Sequence, residues 1–131
     1  MPHTYLAMNQ TIVFDIKAET LFSEDVLLVN KGELYRFWCD NGQKWKDWFY
    51  TTSPDGYFNP LVWLFGARLT TARCFCLCGV YDHDDDTAFA IGSDSTVKIQ
   101  MNGTVSFFAN DAIWAYGNNS GAIKLNISRL Q

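Results

Sequence analysis

The chain has 131 residues, of which 48% are hydrophobic, 16% aromatic and only 18% charged. This composition excludes a disordered protein and predicts one packed domain covering residues 1–131. The net charge is -4 and the ten lysines and arginines are spread along the chain, which excludes the basic footprint of a nucleic-acid-binding protein.

Signals for membrane insertion and export are missing from the sequence. The longest apolar runs, such as residues 61–65, are far shorter than the roughly 20 residues that a membrane-spanning helix needs. Residues 1–4 are not the start of a basic segment followed by a long apolar stretch, which a secretory signal requires. We therefore expect no membrane insertion, and a protein that is cytoplasmic or released by a non-classical route.

Short runs of β-branched and aromatic residues, separated by Gly, Asn, Asp and Pro, predict an all-β protein. In chain order, the predicted strands cover residues 11–17, 26–29, 33–38, 61–65, 73–78, 96–100, 104–108 and 122–127. About eight strands are typical of an antiparallel β-sandwich. Helix is expected to be minor, because no stretch of a dozen residues has apolar residues at helical spacing.

The Asn102-Gly103 pair lies between two of these predicted strands, residues 97–100 and 104–107. Asn-Gly tolerates the positive φ of a tight turn. The sequence therefore predicts that these two strands form a β-hairpin.

The four cysteines are Cys39, Cys74, Cys76 and Cys78. On a strand, the last three share one face at about 7 Å spacing, which discourages disulfides between them. Zinc sites usually combine closely spaced cysteine pairs with further ligands, and His3 and His83 are the only histidines. We therefore expect buried thiols on a core strand, and no disulfide framework.

Residues 111–119 contain a group of oxygen donors that could hold a calcium ion. Asp111 supplies a carboxylate, Asn118 and Asn119 supply adjacent amides, and the loop supplies several carbonyls. Calcium selects hard oxygen ligands of this kind. Asp and Asn also occur in loops because they satisfy turn backbone, and the spacing alone leaves both interpretations open.

From Gly32 onward the chain resembles the bacterial calcium-dependent galactophilic lectins of the PA-I (LecA-like) family. The most specific match is Asn110-Asp111 followed by Tyr-Gly-Asn-Asn-Ser-Gly at residues 116–121. Supporting matches are Gln-Lys-Trp at 43–45, Ser-Pro-Asp-Gly at 53–56, and the spacing of Trp38 and Gly42. The resemblance implies a lectin-like β-sandwich of the jelly-roll type, a calcium cofactor, a carbohydrate ligand and a homo-oligomer.

The resemblance also implies the residues of the site. Calcium would be held by the side chains of Asp111, Asn118 and Asn119 and by the backbone carbonyls of Ala115 and Asn41, with Cys39 or Asp40 as alternatives to Asn41. The sugar would contact Ser53, Asp55, Asp111, Ala112 and Asn118. Ser53 replaces a family histidine and the family glutamine is missing. Because these side chains select galactose in the family, the expected ligand widens to galactose or a related sugar. Trp45 and Trp48 are candidates either for stacking on a sugar ring or for the core.

Other constellations give no catalytic site. The acidic run at residues 82–86 lacks the Gly and the final Glu of a calcium loop of the EF-hand type, and is predicted to be a solvated turn. Neither histidine lies in a context that predicts a nucleophile–base pair, and Asp55 with Asp111 is the only carboxylate pair that the resemblance brings together. We therefore expect a binding protein and not an enzyme.

Two functions remain open at this point. The first is a calcium-dependent carbohydrate-binding lectin, whose weak single sites would gain apparent affinity from assembly into a homo-oligomer. The second is a calcium-stabilised structural or protein-interaction domain that does not bind sugar.

Overall fold

Twelve strands make up the described part of the chain in a computed structural model, which describes residues 3–60, 64 and 66–131. The strands are β1 His3–Thr4, β2 Thr11–Lys17, β3 Val26–Val29, β4 Leu34–Trp38, β5 Trp45–Asp47, β6 Tyr50–Thr52, β7 Leu77–Tyr81, β8 Phe89–Ala90, β9 Asp94–Lys98, β10 Gly103–Ala109, β11 Asn119–Ser120 and β12 Ala122–Arg129. Two 3-10 helices span Asp85–Thr87 and Ile113–Asn118. No helix among these residues is both long enough and apolar enough to cross a bilayer.

The strands form three sheets, with the orders β1-β3-β10-β7-β8, β2-β12-β4-β9 and β11-β5-β6. All pairings are antiparallel except β1 with β3. The predicted all-β sandwich is confirmed. The strand number exceeds the predicted eight because β1, β5, β6, β8 and β11 have only two or three residues, too few to show an alternating pattern.

The core lies between the five-stranded and the four-stranded sheets. Along β2, Phe14 and Ile16 are buried while Val13 is 54% exposed, as the alternation of a strand requires. Phe107 of β10 meets Phe14 with ring centroids 6.1 Å apart and Phe37 of β4 with centroids 5.6 Å apart. These aromatic contacts join the two sheets.

The predicted hairpin across Asn102-Gly103 is wrong. Strand β9 pairs with β4 in the four-stranded sheet, whereas β10 pairs with β3 and β7 in the five-stranded sheet. The Asn102 side chain accepts a hydrogen bond from Lys31 N (2.8 Å), and Gly103 has a φ of 150°. The connection therefore carries the chain from one sheet to the other. Asn102-Gly103 lies in this crossover between sheets and not in a two-residue hairpin turn.

The predicted strand at residues 73–78 is also wrong in its first half. Strand β7 begins only at Leu77, because Phe75 has a φ of 64° that interrupts extended backbone. Cys74 consequently packs in the main core, while Cys76 and Cys78 pack in a second cluster with Phe108. The four cysteines are buried and free, as predicted, but the last three do not share one strand face.

The predicted strand at residues 61–65 lies outside the described residues, apart from Leu64, whose backbone is helical.

The acidic run at residues 82–86 forms the turn predicted between β7 and β8, but not all of it is merely solvated. Asp82 accepts from Thr104 N at 2.8 Å, and Asp85 forms an ion pair of 2.9 Å with Arg68. The Arg68 side chain is only 1% exposed, and its guanidinium lies 3.6 Å from the centroid of the Phe108 ring. Asp85 thus balances a buried cation.

Replacing Phe107 with Ala should remove the aromatic contacts that join the two sheets. Since Phe107 is fully buried, we expect Phe107→Ala to lower the free energy of unfolding by about 3–5 kcal/mol. Urea denaturation followed by circular dichroism measures the change, with exposed Val13→Ala as the control expected to stay within about 0.5 kcal/mol. A loss below about 1 kcal/mol in Phe107→Ala would contradict this account of the core.

Candidate metal and ligand site

The site begins where β10 ends, at the fully buried Asn110. Its Oδ1 accepts from Leu69 N at 2.9 Å, and its Nδ2 donates to the carbonyls of Leu69 (2.9 Å), Ala72 (3.3 Å) and Arg73 (3.0 Å). One amide side chain therefore ties the whole 69–73 loop to the end of β10. These hydrogen bonds also fix the position of Cys74, the residue that follows the 69–73 loop.

Asp111 follows directly and is 1% exposed. Its Oδ1 accepts from Ala112 N at 2.8 Å, and its backbone carbonyl accepts from Arg68 N at 3.3 Å. Its Oδ2 is buried and has no hydrogen-bond partner among the described residues. A buried carboxylate oxygen without a partner is costly and calls for an explanation.

A second buried carboxylate, Asp47, arrives from the end of β5. Its side chain points inward because Trp45, Lys46 and Asp47 alternate between buried and exposed along this short strand. Asp47 Oδ2 accepts from the Tyr57 hydroxyl at 2.6 Å and lies 3.9 Å from Cys74 Sγ. Potential ligand atoms of Asp47, Cys74 and Asp111 all lie within 4.8 Å of one another, and we call these three residues the Asp47–Cys74–Asp111 centre.

Asn119 lies beside this centre, because β11 pairs with β5 and places Asn119 opposite Asp47. Asn119 is 5% exposed, and its Nδ2 donates to Ala18 O at 3.1 Å. Its Oδ1 is buried and finds no partner in the described part of the chain. Two of the predicted calcium ligands, Asp111 and Asn119, thus come together, each with one buried oxygen to spare.

The other predicted residues of the 111–119 loop lie on the 3-10 helix or next to it. Ala112 is buried, Ala115 is half-buried, and its N donates to Ala112 O at 2.9 Å. The side chain of Asn118 is exposed, while its backbone carbonyl accepts from Trp48 N at 3.1 Å. Asn118 and Asn119 therefore face opposite environments, one towards solvent and one towards the buried centre.

The early loop forms a separate groove. Asn41 is exposed and lines a cavity of about 330 Å³ with Arg36, Ser93 and Asp94. The same groove includes Cys39 and Asp40, the alternatives to Asn41 as a carbonyl ligand. Cys39 N donates to Ser93 O at 2.8 Å, and Asp40 Oδ1 accepts from Asn126 Nδ2 at 3.2 Å.

Ser53 and Asp55 lie near this groove as well. The Asp55 carboxylate accepts from Ser93 N at 2.7 Å and from Ser93 Oγ at 2.9 Å and 2.8 Å. Ser53 Oγ accepts from Asp55 N at 3.3 Å. The hydrogen bonds of the described residues link Asp55 to Ser93 and not to the Asp47–Cys74–Asp111 centre.

Burial sets the protonation of the centre. Burial raises the pKa of Asp111 to about 6. The hydrogen bond from the Ala112 N–H lowers this pKa, the Asp47 charge raises it, and the Asn119 amide lowers it. Burial also raises the pKa of the Cys74 thiol to about 12, with a further increase from the Asp47 and Asp111 charges. No cationic side chain of the described residues donates to either carboxylate. The centre therefore offers uncompensated oxygen donors around a neutral thiol.

The two candidate tryptophans differ. Trp45 is 1% exposed and donates from Nε1 to Phe75 O at 3.2 Å, so it belongs to the core. Trp48 is 58% exposed and occupies the turn between β5 and β6 with a φ of 53°. Trp114, which the sequence did not single out, is 75% exposed on the 3-10 helix. Exposed tryptophans thus occur on both segments that meet at the Trp48–Asn118 hydrogen bond.

Sequence reasoning missed Asp47 as a member of the site. The available signal was the buried, exposed, buried alternation implied by Trp45-Lys46-Asp47, which places a carboxylate on the core side. It was missed because a strand of three residues shows this alternation only once its register is known.

The fold is an all-β sandwich with a buried cluster of carboxylate and thiol groups at the end of β5 and β10. No protein-family model matches the chain, and no curated protein matches its sequence. A solved structure described as "EclA N-terminal domain; PllA-like lectin" is similar, with a TM-score of 0.66 and 16% sequence identity. The similarity covers 89% of this chain and 94% of the other. At this identity the comparison shows the fold, and membership of the PA-I family stays a prediction.

The raised pKa of Asp111 predicts an unusual pH dependence for the metal-free protein. A carboxyl with a folded pKa of about 6 and an ordinary value of 3.8 penalises folding above pH 6, and the penalty disappears as the pH falls towards 4. In the presence of a chelator, the wild type should gain up to about 3 kcal/mol relative to Asp111→Asn between pH 7 and pH 4. Chemical denaturation at several pH values measures this, and parallel curves for the two proteins would refute it.

Proposed function

We propose that this protein is a calcium-dependent carbohydrate-binding domain without enzymatic activity. The observation that carries the proposal is the pair of buried oxygens without partners, Asp111 Oδ2 and Asn119 Oδ1, beside the second carboxylate of Asp47. Buried charges are normally paired or bound to metal. A divalent cation would supply the missing partner to both oxygens and compensate both carboxylates.

The donor set fits calcium. Calcium takes six to eight oxygen ligands from carboxylates, amide side chains, backbone carbonyls and water. Asp111, Asn119 and Asp47 would supply oxygens from the buried side, and Asn118 would supply its amide from the solvent side. The carbonyl of Ala115 would add a further oxygen. The family resemblance suggests one more from the early loop at residues 39–41, which lines a separate groove and would have to move towards the ion.

The exposed rim of the same region supports a sugar site. Asn118 has an exposed side chain directly before the buried Asn119, so a hydroxyl near Asn118 would also be near the ion. The family resemblance adds Asp111 and Ala112 from the loop and Ser53 and Asp55 from the 53–56 segment. Asp111 and Ala112 are buried and Asp55 is bonded to Ser93, so these residues would reach the ligand only after the loops rearrange. We propose a galactoside or a related sugar with vicinal hydroxyls as the ligand.

Trp48 is the best-supported stacking residue. A positive φ at a residue other than Gly, Asn or Asp is uncommon and unfavourable, and such strain is often found at functional sites. Trp48 keeps this conformation although the residue is 58% exposed, and its backbone N–H donates to the Asn118 carbonyl. A sugar ring bound near Asn118 could therefore lay its apolar face against Trp48.

One observation favours the alternative, a calcium-stabilised interaction domain that does not bind sugar. Asp55, the remaining selecting side chain of the family's second sugar loop, is already bonded to Ser93 through both carboxylate oxygens. Large exposed side chains also cluster in sequence at Trp48, Phe49 and Tyr50, which suits a protein partner as well as a sugar.

Assembly into a homo-oligomer is a further part of the proposal. Single sugar sites of this shallow kind bind weakly, and linking several of them raises the apparent affinity by about 100-fold or more. Sedimentation equilibrium gives the oligomeric state directly.

Calcium should raise the melting temperature of the wild type, by an amount equivalent to about 2.7 kcal/mol when its concentration is 100 times Kd. Asp111→Asn should abolish this effect, whereas Asp15→Asn, an exposed carboxylate paired with Lys124, should leave it unchanged. Isothermal titration with galactosides and other monosaccharides should give heat that a chelator removes.

The outcomes separate the two functions. Sugar heat that depends on calcium supports the lectin. Calcium stabilisation without heat from any sugar of a broad glycan panel supports the interaction domain, and sugar heat that persists in chelator contradicts the calcium-dependent mechanism.

Replacing Trp48 with Asn tests the stacking role without damaging the fold. Asn tolerates the positive φ, so Trp48→Asn should keep or slightly raise the melting temperature. The loss of a stacked ring should weaken sugar binding about 3- to 10-fold. Exposed Val13→Thr is the control, and unchanged sugar affinity in Trp48→Asn would remove Trp48 from the site.

A further inference from the structure

We infer that the Asp47–Cys74–Asp111 centre also binds a thiophilic divalent cation of the zinc class, which competes with calcium. Binding of this ion stands on the centre's own geometry. Only the competition with calcium rests on the proposed function.

The geometry suits a small ion bound by sulfur and oxygen. Cys74 Sγ lies 3.9 Å from Asp47 Oδ2, and the three potential ligand atoms lie within 4.8 Å of one another. Around a tetrahedral zinc ion, with bonds of about 2.0–2.3 Å, ligand atoms are roughly 3.3–3.8 Å apart. A contraction of at most about 1.5 Å, within reach of side-chain rotation, would bring all three onto one ion.

Asn119 is the candidate for a fourth ligand, because strand pairing places it opposite Asp47. Asn119 Oδ1 is buried beside Asp47 and has no hydrogen-bond partner in the part of the chain that the structure describes. Asp111 Oδ2 is buried and unpartnered in the same way. These two oxygens point to a missing ligand independently of the cysteine, because a buried thiol alone is ordinary core packing.

The thiol is the feature that calcium does not explain. Calcium binds oxygen, whereas thiolate is a preferred ligand of zinc and cadmium. On binding, the Cys74 S–H bond breaks, the proton leaves to solvent, and the sulfur electron pair forms the bond to the metal. No electron transfer is involved, and the three anionic ligands carry one negative charge more than the divalent cation neutralises, so the occupied centre keeps a net charge of -1.

The position of Cys74 is also fixed in advance. Asn110 anchors the residues before it, and the Cys74 carbonyl accepts from Tyr57 N at 2.9 Å. The Tyr57 hydroxyl in turn donates to Asp47 at 2.6 Å, so one residue positions both the thiol and the carboxylate. Preorganised ligands of this kind lower the entropic cost of binding a metal.

The test is a titration of the fully reduced, chelator-free protein with cadmium alone, followed by ultraviolet absorption. We expect a sulfur-to-cadmium charge-transfer band that saturates at one ion per chain. Cys74→Ser should lose the band, while Cys78→Ser, which changes a buried thiol of the second cluster, should keep it. Asp47→Asn should keep the band but weaken cadmium binding by at least about 10-fold.

Wild-type protein without a saturable band would overturn the inference, as would a Cys74→Ser variant that retains it. If Cys74→Ser does not fold, unchanged cadmium affinity in Asp47→Asn overturns it instead. Adding calcium to the cadmium-loaded protein should shift the apparent cadmium affinity. A band without any calcium response would leave the zinc-class site standing and defeat the proposed calcium function, whereas calcium stabilisation without a band would do the reverse.

Discussion

The hydrogen bonds of the buried Asn110 side chain are the interaction on which the rest of the site depends. They satisfy the amide completely while holding the 69–73 loop against the end of β10. That loop delivers Cys74 to one side of Asp111, and the Arg68 N–H that precedes it binds the Asp111 carbonyl on another. A single satisfied polar residue therefore fixes two neighbouring groups, Cys74 and Asp111, of which Asp111 keeps a buried oxygen without a partner among the described residues.

Buried polar groups that are fully paired stabilise the fold, whereas the buried oxygens without partners at the centre mark the candidate site. Arg68, although buried, is neutralised by Asp85 and packed on Phe108, so it contributes rigidity and leaves no free charge. Within the part of the chain that the structure describes, Asp47 and Asp111 have no such cation, and Asp111 and Asn119 each keep an unpaired buried oxygen. Polar groups in a low-dielectric interior are stabilising when paired and costly when not. Of the three buried side-chain atoms without a partner among the described residues, two lie at the centre, where a ligand would relieve the cost, and the third is Ser106 Oγ on β10.

Much of the fold could be predicted from the sequence. Strands β2 and β12 are long enough to show alternation, and both, together with the short apolar β3, lie within or close to the predicted ranges. The connection at Asn102-Gly103 could not, since Asn-Gly allows positive φ but does not say which sheet receives the next strand. The loop before β7 could not either, because the left-handed Phe75 breaks a run that reads as one strand. In the site, Asp111 and Asn119 could be found from their spacing and the family resemblance. Asp47 and Cys74 join them only through the pairing of β5 with β11 and the Asn110 anchorage, which are long-range contacts.

The three members of the centre and the neighbouring Asn119 are far apart in sequence, and Asn119 belongs to β11, the eleventh of the twelve described strands. During synthesis on the ribosome, a nascent chain therefore cannot bring these side chains together until nearly all of the described strands have emerged. An ion bound there would stabilise only chains whose sheets have assembled correctly. Incomplete or misassembled chains would lack this stabilisation and would be more susceptible to proteolysis.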